Sequence, residues 1–548
     1  MSTVLRYLLG TACLGAGGLS AFGAGAAALG HVATGDPVVS LPVIALGGVS
    51  AALMGLSADM FGWVKRGSET APMTLARSVW ATRDRLQKIL RRLGNGGEGI
   101  YLGLFRDEKG TDELRYDGTK HVLVFGAPGA NKSMGIAVPN LAHLGRSMIV
   151  LDVKGQLSAI ALRRRAKLGK VIVLNPFGIF IEALPYLESA GWNPMLQLDP
   201  NSFDFEDGAR CLADALIEKG DGQGNSRFFD EGGLNILTAF IMWERLKHGD
   251  AAHLSNVRKM LCEPTVYVER TKTPKSGFLH TVMDMTRSGN LSLVNIGSRL
   301  LTRLTDENAK TTSVEDVTET VLTQTRLLDN PAMFDDLSSG GAIDFGAFHR
   351  EVVTVFVIIP ADQLDGPCVK WLRMFVNMAL HQLYKSPRPT KGRLPPVLFM
   401  LDEFANLGRL AEISRALTIS RDYGIQLMMF LHHIGQLKKH YPHDDWLGFF
   451  TGSGAITAFR TGDAETPDYL CKLYGTREEY VPTLNPTGGT STTLQAVPLI
   501  RPEDVGRLGH GETISLIEPC AMPIKGNAPV YPKTPYASGL DPNPYYGG

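Results

Sequence analysis

The sequence predicts an α/β protein with a parallel sheet and an inserted helical region. Three observations lead to this class. From residue 119 onward, short apolar runs alternate with longer helical stretches, which is typical of a parallel sheet covered on both faces. A glycine-rich loop follows the first run, and a later run ends in two adjacent carboxylates. Between about 208 and 330 the signals are helical and polar, so we expect one α/β domain interrupted by a helical insertion.

Seven strands are expected, in two groups separated by the insertion. Each is a short and nearly continuous apolar run, as in strands that are buried on both faces of a parallel sheet. The predicted strands are 121–125, 147–151 and 170–174 before the insertion, and 352–359, 397–401, 425–431 and 455–459 after it.

The N-terminal region contains two long stretches without charged residues, 7–30 and 37–58. Each could cross roughly 30 Å of hydrocarbon as a helix of about 20 residues. Basic residues flank the pair on both sides, which places the termini and the large domain in the cytoplasm. We therefore expect a two-helix transmembrane hairpin with spans of about 7–30 and 41–63. The alternative is a cleaved signal peptide over residues 1–30, but it leaves the second stretch unexplained.

Composition and charge exclude few classes of protein. The chain of 548 residues has 55 basic and 55 acidic residues and a formal net charge of zero, so the overall balance indicates no particular partner. Six cysteines are scattered without a C-x-x-C pair, and neither a disulfide framework nor a zinc site is expected. The stretch 65–92 is locally basic, which fits either attraction to anionic lipid head groups or a solvated helix face.

The segment 126–133, Gly-Ala-Pro-Gly-Ala-Asn-Lys-Ser, follows the first predicted strand and precedes a helix. In a phosphate loop, backbone N–H groups cradle phosphate oxygens, a lysine reaches the outer phosphates and a hydroxyl ligates Mg²⁺. Lys132 would reach the outer phosphates and Ser133 would ligate Mg²⁺. Asn131 stands where glycine is usual, but asparagine tolerates positive φ better than other non-glycine residues. The residues expected to bind the nucleotide are Gly126, Gly129, Ala130, Asn131, Lys132, Ser133 and Met134.

Two adjacent carboxylates, Asp402 and Glu403, follow the apolar run 397–401. Open α/β sheets bind ligands at the carboxyl ends of their strands. Asp402 is expected to hold Mg²⁺ together with Ser133, and Glu403 to orient or polarise the attacking water. The combination with the glycine-rich loop favours a site that binds and hydrolyses ATP with Mg²⁺ over a plain turn between strand and helix.

Two further residues are candidates for catalysis. Arg421 comes just after the helix that follows the carboxylates, and in ring ATPases an arginine from the neighbouring subunit stabilises charge on the transferring phosphate. His432 stands at the end of the next strand, where a polar group that senses the phosphate would belong. The alternative is an ordinary surface role for Arg421 and a structural role for His432.

These patterns divide the chain into six regions. The last of them is rich in Pro, Gly and Tyr and is expected to be a flexible tail. The predicted regions are 1–66 (transmembrane hairpin), 67–118 (basic juxtamembrane segment and linker), 119–207 (nucleotide-binding domain, first part), 208–335 (all-α insertion domain), 336–535 (nucleotide-binding domain, second part) and 536–548 (tail).

The order of these motifs resembles the coupling proteins of type IV secretion and conjugation systems. The resemblance spans about residues 1–535, and its motifs are specific in combination. They are the membrane hairpin, the phosphate loop, Val-Leu-Asp-Val-Lys-Gly at 150–155, Trp-Asn-Pro at 192–194, the helical insertion, Leu-Asp-Glu-Phe-Ala-Asn-Leu-Gly at 401–408, Arg-Asp-Tyr-Gly-Ile-Gln at 421–426 and Pro-Leu-Ile-Arg-Pro-Glu-Asp-Val at 498–505.

This resemblance implies a RecA-like P-loop NTPase domain that binds ATP and Mg²⁺ and forms a hexameric ring. It places the ring on the cytoplasmic face of a bacterial inner membrane, as a multi-pass protein. It also implies a receptor that recruits relaxase–DNA complexes or effector proteins and uses ATP to deliver them to the inner-membrane components of the secretion channel. Arg421 corresponds to the family's trans-acting arginine, and His432 stands where the family commonly has glutamine.

Two other functions are compatible with these residues. Asn131 and His432 favour a nucleotide-binding docking scaffold with little hydrolysis, whereas the intact lysine, hydroxyl and carboxylates favour a motor. A double-stranded DNA translocase of related fold is the third hypothesis, and the long helical insertion argues against it. The sequence does not distinguish DNA from protein cargo, because its basic cluster at 163–167 fits either a DNA contact or a solvated helix end.

Overall fold

The fold is described by a computed structural model. It covers residues 78–94, 97–217, 225–270, 273–305, 312–364, 366–389, 392–484 and 490–546, and Ser78–Gly548 form one compact unit. The strands are β1 (Leu90–Arg92), β2 (Ile100–Asp107), β3 (Gly110–Tyr116), β4 (His121–Phe125), β5 (Met148–Asp152), β6 (Lys170–Leu174), β7 (Val266–Tyr267), β8 (Pro274–Ser276), β9 (Val353–Ile358), β10 (Val397–Leu401), β11 (Ile425–Leu431), β12 (Ser453–Ala458), β13 (Thr476–Leu484), β14 (Thr490–Pro498), β15 (Glu512–Ile517) and β16 (Cys520–Asn527).

Twelve strands of the described chain form one mixed sheet in the order β1-β3-β2-β16-β15-β12-β4-β11-β10-β5-β9-β6. The strands from β12 to β6 run parallel to one another. The others extend the sheet beyond β12 by antiparallel pairing. The parallel strands are the seven that the sequence predicts, so the parallel α/β core is confirmed. Strands β4, β5, β9, β10 and β11 are buried along their whole lengths.

The register of the parallel strands brings several of their carboxyl ends to one edge of the sheet. Phe125 of β4 pairs with Leu431 of β11, and Leu401 of β10 pairs with Leu151 of β5. Strands β10 and β11 are themselves neighbours. The loop after β4, the carboxylates after β10 and the histidine after β11 therefore lie side by side, where α/β sheets bind ligands.

Helices cover both faces of the sheet. Alternate residues of β4 belong to two separate apolar cores, Leu123 to one and Val124 to the other. The helices are α1 (Arg83–Leu86), α2 (Val138–His143), α3 (Gln156–Ala166), α4 (Phe205–Leu216), α5 (Asn225–His248), α6 (Leu254–Cys262), α7 (Phe278–Met285), α8 (Leu291–Thr305), α9 (Thr312–Gln324), α10 (Pro331–Ser339), α11 (Val369–Lys385), α12 (Ala411–Ile419), α13 (Ile434–His440), α14 (Leu447–Thr451), α15 (Glu465–Tyr474) and α16 (Pro502–Gly506).

A helical insertion separates β6 from β9. It contains α4 to α10 and the small hairpin β7–β8. Helix α4 packs against α5 within the insertion and against α11 of the sheet domain. Leu212 of α4 and Leu237 of α5 belong to the same apolar core as one face of the sheet. The insertion is therefore packed on the sheet domain through a continuous apolar core.

The antiparallel half of the sheet differs from the prediction. Residues 90–116, predicted as part of a basic linker, contain β1, β2 and β3, and β15 and β16 form a further hairpin. Strand β3 carries charged residues even where it is buried: Glu113 and Arg115 are fully buried and form an ion pair. A search for apolar runs misses such a strand, because its polar groups are satisfied by partners from distant parts of the chain.

The predicted membrane location is contradicted by the structure. In the described parts of residues 78–546, no helix is both long enough and apolar enough to cross a bilayer. Helix α5 has the length, with 24 residues, but it carries charged residues such as Asp230 and Glu244. For the described residues, this finding contradicts the prediction of a multi-pass inner-membrane protein. The predicted spans, 7–30 and 41–63, lie outside the described residues.

The segment predicted as a flexible tail lies against the sheet domain. Tyr536 is buried, and Asp541 forms an ion pair with Arg163 of α3. The hydroxyl of Tyr545 donates to the backbone oxygen of Lys154, just after β5, at 2.8 Å. Aromatic and charged side chains thus give this segment specific partners despite its Pro- and Gly-rich composition.

Candidate nucleotide-binding site

The loop after β4 has the shape of a phosphate cradle. Gly129 and Asn131 both have positive φ, +74° and +79°, and the chain then forms a wide helical turn, Ser133–Ala137, that continues into α2. Asn131 thus adopts a backbone conformation that glycine adopts easily and asparagine tolerates. A side chain at Gly126 would be crowded, because a Cβ there would lie 3.0 Å from the Cβ of Phe459.

The side chain of Asn131 ties this loop to the antiparallel half of the sheet. Its Nδ2 donates to the backbone oxygen of Ala528 at 2.7 Å, and Ala528 directly follows β16. Glycine, which is usual at this position, has no side chain to make this bond. The departure from the usual motif therefore adds a buried contact between two distant segments.

Lys132 is buried at the base of the loop. Its ammonium donates to the backbone oxygens of Gly126 at 2.5 Å and Ala127 at 3.3 Å, and it lies 3.0 Å from Nδ1 of His432. Burial lowers the pKa of Lys132, and the carboxylates after β10 oppose the shift. An ammonium at this place can meet the outer phosphates of a nucleotide.

Ser133 and Asp402 meet beside the cradle. Oγ of Ser133 donates to the carboxylate of Asp402 and lies 3.3 Å from each of its oxygens. Burial, together with repulsion from Glu403 and Asp152, raises the pKa of Asp402 to about 7. A hydroxyl and a carboxylate are hard oxygen ligands, which Mg²⁺ prefers in nucleotide sites. A divalent cation beside Asp402 would favour its ionised form.

Glu403 is held in place by His432. Nε2 of His432 lies 2.9 Å from Oε2 of Glu403; with Lys132 donating to Nδ1, the ring donates its Nε2–H to the carboxylate. Burial by itself would raise the pKa of Glu403, but the hydrogen bond from His432 and the charge of Lys132 outweigh burial and lower it. Glu403 also has a φ of +52°, a strained conformation that recurs at functional sites.

Arg421 is not part of this cluster. It is exposed and lies between α12 and β11, at the amino end of the strand, within electrostatic range of Tyr116. The cavity lies at the carboxyl end of β11, which has 7 residues and is therefore roughly 20 Å long. Arg421 and the cavity of its own chain are thus at opposite edges of the sheet.

Nine of the predicted residues line one cavity of about 520 Å³. Gly126, the first residue of the loop, does not line it. The predicted residues that line the cavity are Gly129, Ala130, Asn131, Lys132, Ser133, Met134, Asp402, Glu403 and His432.

The cavity wall also contains residues that were not predicted as site residues, although two of them belong to the motif at 150–155. Asp152 and Lys154 lie at the carboxyl end of β5, and their place beside β10 is the signal that could have identified them. Asp152 accepts hydrogen bonds from the backbone N–H and the hydroxyl of Ser158 at 2.7 and 2.8 Å, while burial raises its pKa. Others carry no local motif: His510 lies just before β15, and Val530 and Tyr546 lie in the C-terminal segment after β16.

The sheet, the loop and the paired carboxylates define a P-loop NTPase fold. The donors present fit a triphosphate with Mg²⁺: a cradle with two positive-φ residues, a buried ammonium and a hydroxyl beside a carboxylate. The more particular relationship comes from the whole chain. It matches the model of the family described as Type IV secretory system Conjugative DNA transfer over residues 71–538. The chain belongs to this family, as its motifs predicted.

Curated relatives include a conjugal transfer protein and a protein named VirD4. The conjugal transfer protein TraG of Escherichia coli is 27% identical over 440 residues, which cover 75% of this chain and 65% of TraG. Protein VirD4 of Agrobacterium fabrum is 25% identical over 417 residues, which cover 73% of this chain and 57% of VirD4. The matched region therefore spans less than two thirds of either relative.

Solved structures of the coupling protein TrwB share the fold. Unbound TrwBdeltaN70 has a TM-score of 0.57 at 15% identity, with 84% of this chain and 95% of that chain covered. TrwB in complex with ADP and Mg²⁺ gives 0.57 at 14% identity, with coverage of 84% and 95%. At such low identity the similarity concerns the fold, and it confirms the predicted RecA-like α/β architecture.

Proposed function

We propose that this chain is an ATPase that acts as a coupling protein and delivers relaxase–DNA complexes or effector proteins to a secretion channel. One observation carries the proposal: Lys132, Ser133, Asp402 and Glu403 converge in one cavity at the carboxyl edge of the sheet. Family membership supports the coupling role. The names of the relatives, conjugal transfer proteins, favour a relaxase–DNA complex as the first cargo to test.

The residues of the cavity divide the work of hydrolysis. The loop backbone and Lys132 bind the phosphates, while Ser133 and Asp402 would hold Mg²⁺, which would neutralise charge on the phosphate oxygens. Glu403 orients a water molecule and accepts its proton, and its lowered pKa keeps the carboxylate ionised for this task. His432 keeps that carboxylate oriented through the 2.9 Å contact.

We further propose a hexameric ring in which Arg421 of one copy serves the cavity of the next. The support is its exposed place at the edge of the sheet opposite its own cavity. An arginine supplied by a neighbour stabilises charge on the transferring phosphate.

Mixing two inactive variants tests this arrangement. Arg421→Ala and Lys132→Ala chains should each lack turnover, but a mixture should recover part of it, because some cavities combine an intact Lys132 with an intact neighbouring Arg421. A mixture of Arg421→Ala with wild-type chains in the same ratio controls for dilution. Absence of recovery in a mixture that still assembles contradicts a role for Arg421 in trans.

A docking scaffold that binds ATP but hydrolyses little of it is the second candidate function. Two contacts favour it. Lys132 is bonded to the oxygens of its own loop, Gly126 and Ala127, and Asn131 anchors the loop to Ala528. To bind a phosphate, Lys132 would have to give up its hydrogen bonds to Gly126 and Ala127, which reduces the net free energy of binding.

ATP turnover by the purified full-length chain separates the two candidates. It is measured with and without single-stranded DNA, against Lys132→Ala and against Lys472→Ala, which changes an exposed lysine of α15 and should leave turnover unchanged. Turnover that rises with DNA and vanishes only in Lys132→Ala supports a motor with nucleic-acid cargo. ATP binding without turnover above the Lys132→Ala level contradicts the motor and supports the scaffold.

A further inference from the structure

Residues 530–546, here called the C-terminal strap, are fixed to the sheet domain beside the phosphate loop. The first anchor is Tyr536, whose buried hydroxyl donates to Oε1 of Glu113 at 2.6 Å and whose ring centroid lies 4.8 Å from that of His143 at the end of α2. The strap is thus anchored on α2, the helix that follows the phosphate loop.

Two further anchors hold the second half of the strap. The backbone N–H of Asp541 donates to the oxygen of Ile160 in α3 at 2.9 Å. Tyr545 donates to the backbone oxygen of Lys154, and its ring packs edge-on against Phe180 with centroids 5.3 Å apart. The next residue, Tyr546, is thereby placed at the rim of the cavity that contains Lys132.

The strap forms most of the wall of a second cavity of about 530 Å³, a volume typical of small-molecule pockets. Met134, Val530 and Tyr546 line both this cavity and the one at the phosphate loop. The two cavities therefore adjoin, with Met134 between them.

The charges of the first cavity set the direction of a nucleotide on the loop. Lys132 and Glu403 mark the end where the terminal phosphate reacts. Met134 follows Ser133 at the other end of the cradle, where the inner phosphates lie. The nucleoside must therefore leave the loop beside Met134, and this is where the second cavity begins.

The wall of the second cavity suits a flat aromatic ring. The side chain of Tyr546 is 81% exposed, so its ring faces are open to a ligand. The polar side chains of the wall are engaged elsewhere: Asp541 pairs with Arg163, and the amide of Asn543 contacts the sulfur of Met134 at 3.6 Å. Affinity would come from stacking and apolar contact, which bind bases with little need for hydrogen bonds.

We propose that the C-terminal strap is the base-binding wall of the nucleotide site, and that the heteroaromatic base of ATP occupies the second cavity in contact with Tyr546. This inference rests on the proposed function, because it takes the phosphates to lie on the loop after β4. It assigns the end of the chain to affinity for the nucleoside, separate from the chemistry of the phosphates.

The test compares two ligands on the full-length chain, ATP and inorganic tripolyphosphate, by calorimetry in the presence of Mg²⁺. Tyr546→Ala should raise the Kd for ATP about 5- to 100-fold, the loss expected for one base–aromatic stack, and should leave the Kd for tripolyphosphate unchanged. Tyr546→Phe keeps the ring and should bind ATP like the wild type. Tyr480→Ala, which removes an exposed tyrosine of β13, is the matched control and should change neither Kd.

Several results would overturn the inference. Tyr546→Ala could weaken the binding of both ligands equally, or it could leave ATP binding unchanged. Either outcome contradicts a contact between Tyr546 and the base. Because Tyr546 is exposed, its replacement should not unfold the chain and so produce these results. Near-ultraviolet crosslinking of 8-azido-ATP should label the strap, and labelling confined to other segments would also contradict it. A wild-type chain that binds neither ligand contradicts the proposed ATPase itself, so the two failures are distinguishable.

Discussion

The parallel and antiparallel halves of the central sheet build the same cavity in different ways. In the parallel half, each reactive group stands within a few residues of the strand that places it: Lys132 after β4, Asp402 and Glu403 after β10, and His432 after β11. The antiparallel half contributes the contact of Ala528 with Asn131, and the strap adds Val530 and Tyr546.

The parallel half therefore supplies the reactive groups of the cavity, and the antiparallel half and the strap enclose it. A parallel strand end fixes the position of the next few residues, so local motifs are enough to assemble the reactive groups. Enclosure instead depends on contacts between segments about 400 residues apart, such as Tyr536 with Glu113. Substitutions in the first group should therefore change turnover, and substitutions in the second should change stability and nucleotide affinity.

The largest expected effect belongs to the parallel half. Glu403→Gln keeps the size of the side chain but removes the charge that accepts a proton from water, so turnover should fall about 100-fold or more, with ATP affinity retained. Phosphate release and calorimetry measure the two quantities. Glu351→Gln changes an exposed residue just before β9, at the opposite edge, and serves as the control. Wild-type turnover in Glu403→Gln would exclude Glu403 from the chemistry.

The strap should give the next largest effect, on stability. The hydroxyl of Tyr536 donates to Glu113, which is buried with Arg115. Tyr536→Phe removes this bond to a charged group and should lower the free energy of unfolding by about 1.5–3 kcal/mol, with little change in turnover at saturating ATP. Urea unfolding measures the loss, and Tyr480→Phe on β13 should be close to neutral. An unchanged urea midpoint would contradict the role of Tyr536 as an anchor.

The same contrast explains what the sequence could predict of the fold. Strands β4, β5, β9, β10 and β11 are buried on both faces, so each is an apolar run that stands out from its surroundings. Strand β3 contains a buried ion pair, Glu113 with Arg115, so its sequence resembles that of a polar linker. The ion pair is hydrogen-bonded to Tyr536, which is hundreds of residues away and cannot be paired with β3 from a single sequence.

The candidate site divides in the same way. Lysine, hydroxyl and carboxylates are recognisable because phosphate and metal chemistry demands those groups at a fixed distance from a strand end. The wall that the strap contributes requires no particular residue type. Val530 and Tyr546 line the cavity because of where the strap is anchored. The contacts of His432 with both Lys132 and Glu403 could not be predicted either, since the sequence shows only that His432 follows β11.

A smaller effect should test that relation. His432→Ala removes the hydrogen bond to Glu403 and should lower kcat about 10-fold, the equivalent of one charge-assisted bond, with KM little changed. His432→Gln retains an amide donor and should recover part of the loss. Steady-state kinetics on the three chains measure the split. A rise in KM with unchanged kcat would instead make His432 a contact for the nucleotide itself.

The smallest expected difference concerns the junction between the two halves. Asn131→Ala and Asn131→Gly both lose the bond to Ala528, but only alanine keeps an unfavourable side chain at a φ of +79°. The alanine variant should therefore be less stable than the glycine variant by about 1 kcal/mol in urea unfolding. Because the lost bond is common to both, the difference reports the strain of alanine at this φ against the greater unfolded-state entropy of glycine. Equal stabilities would mean that the strain at this position is no larger than that entropy difference, and would contradict the expected excess.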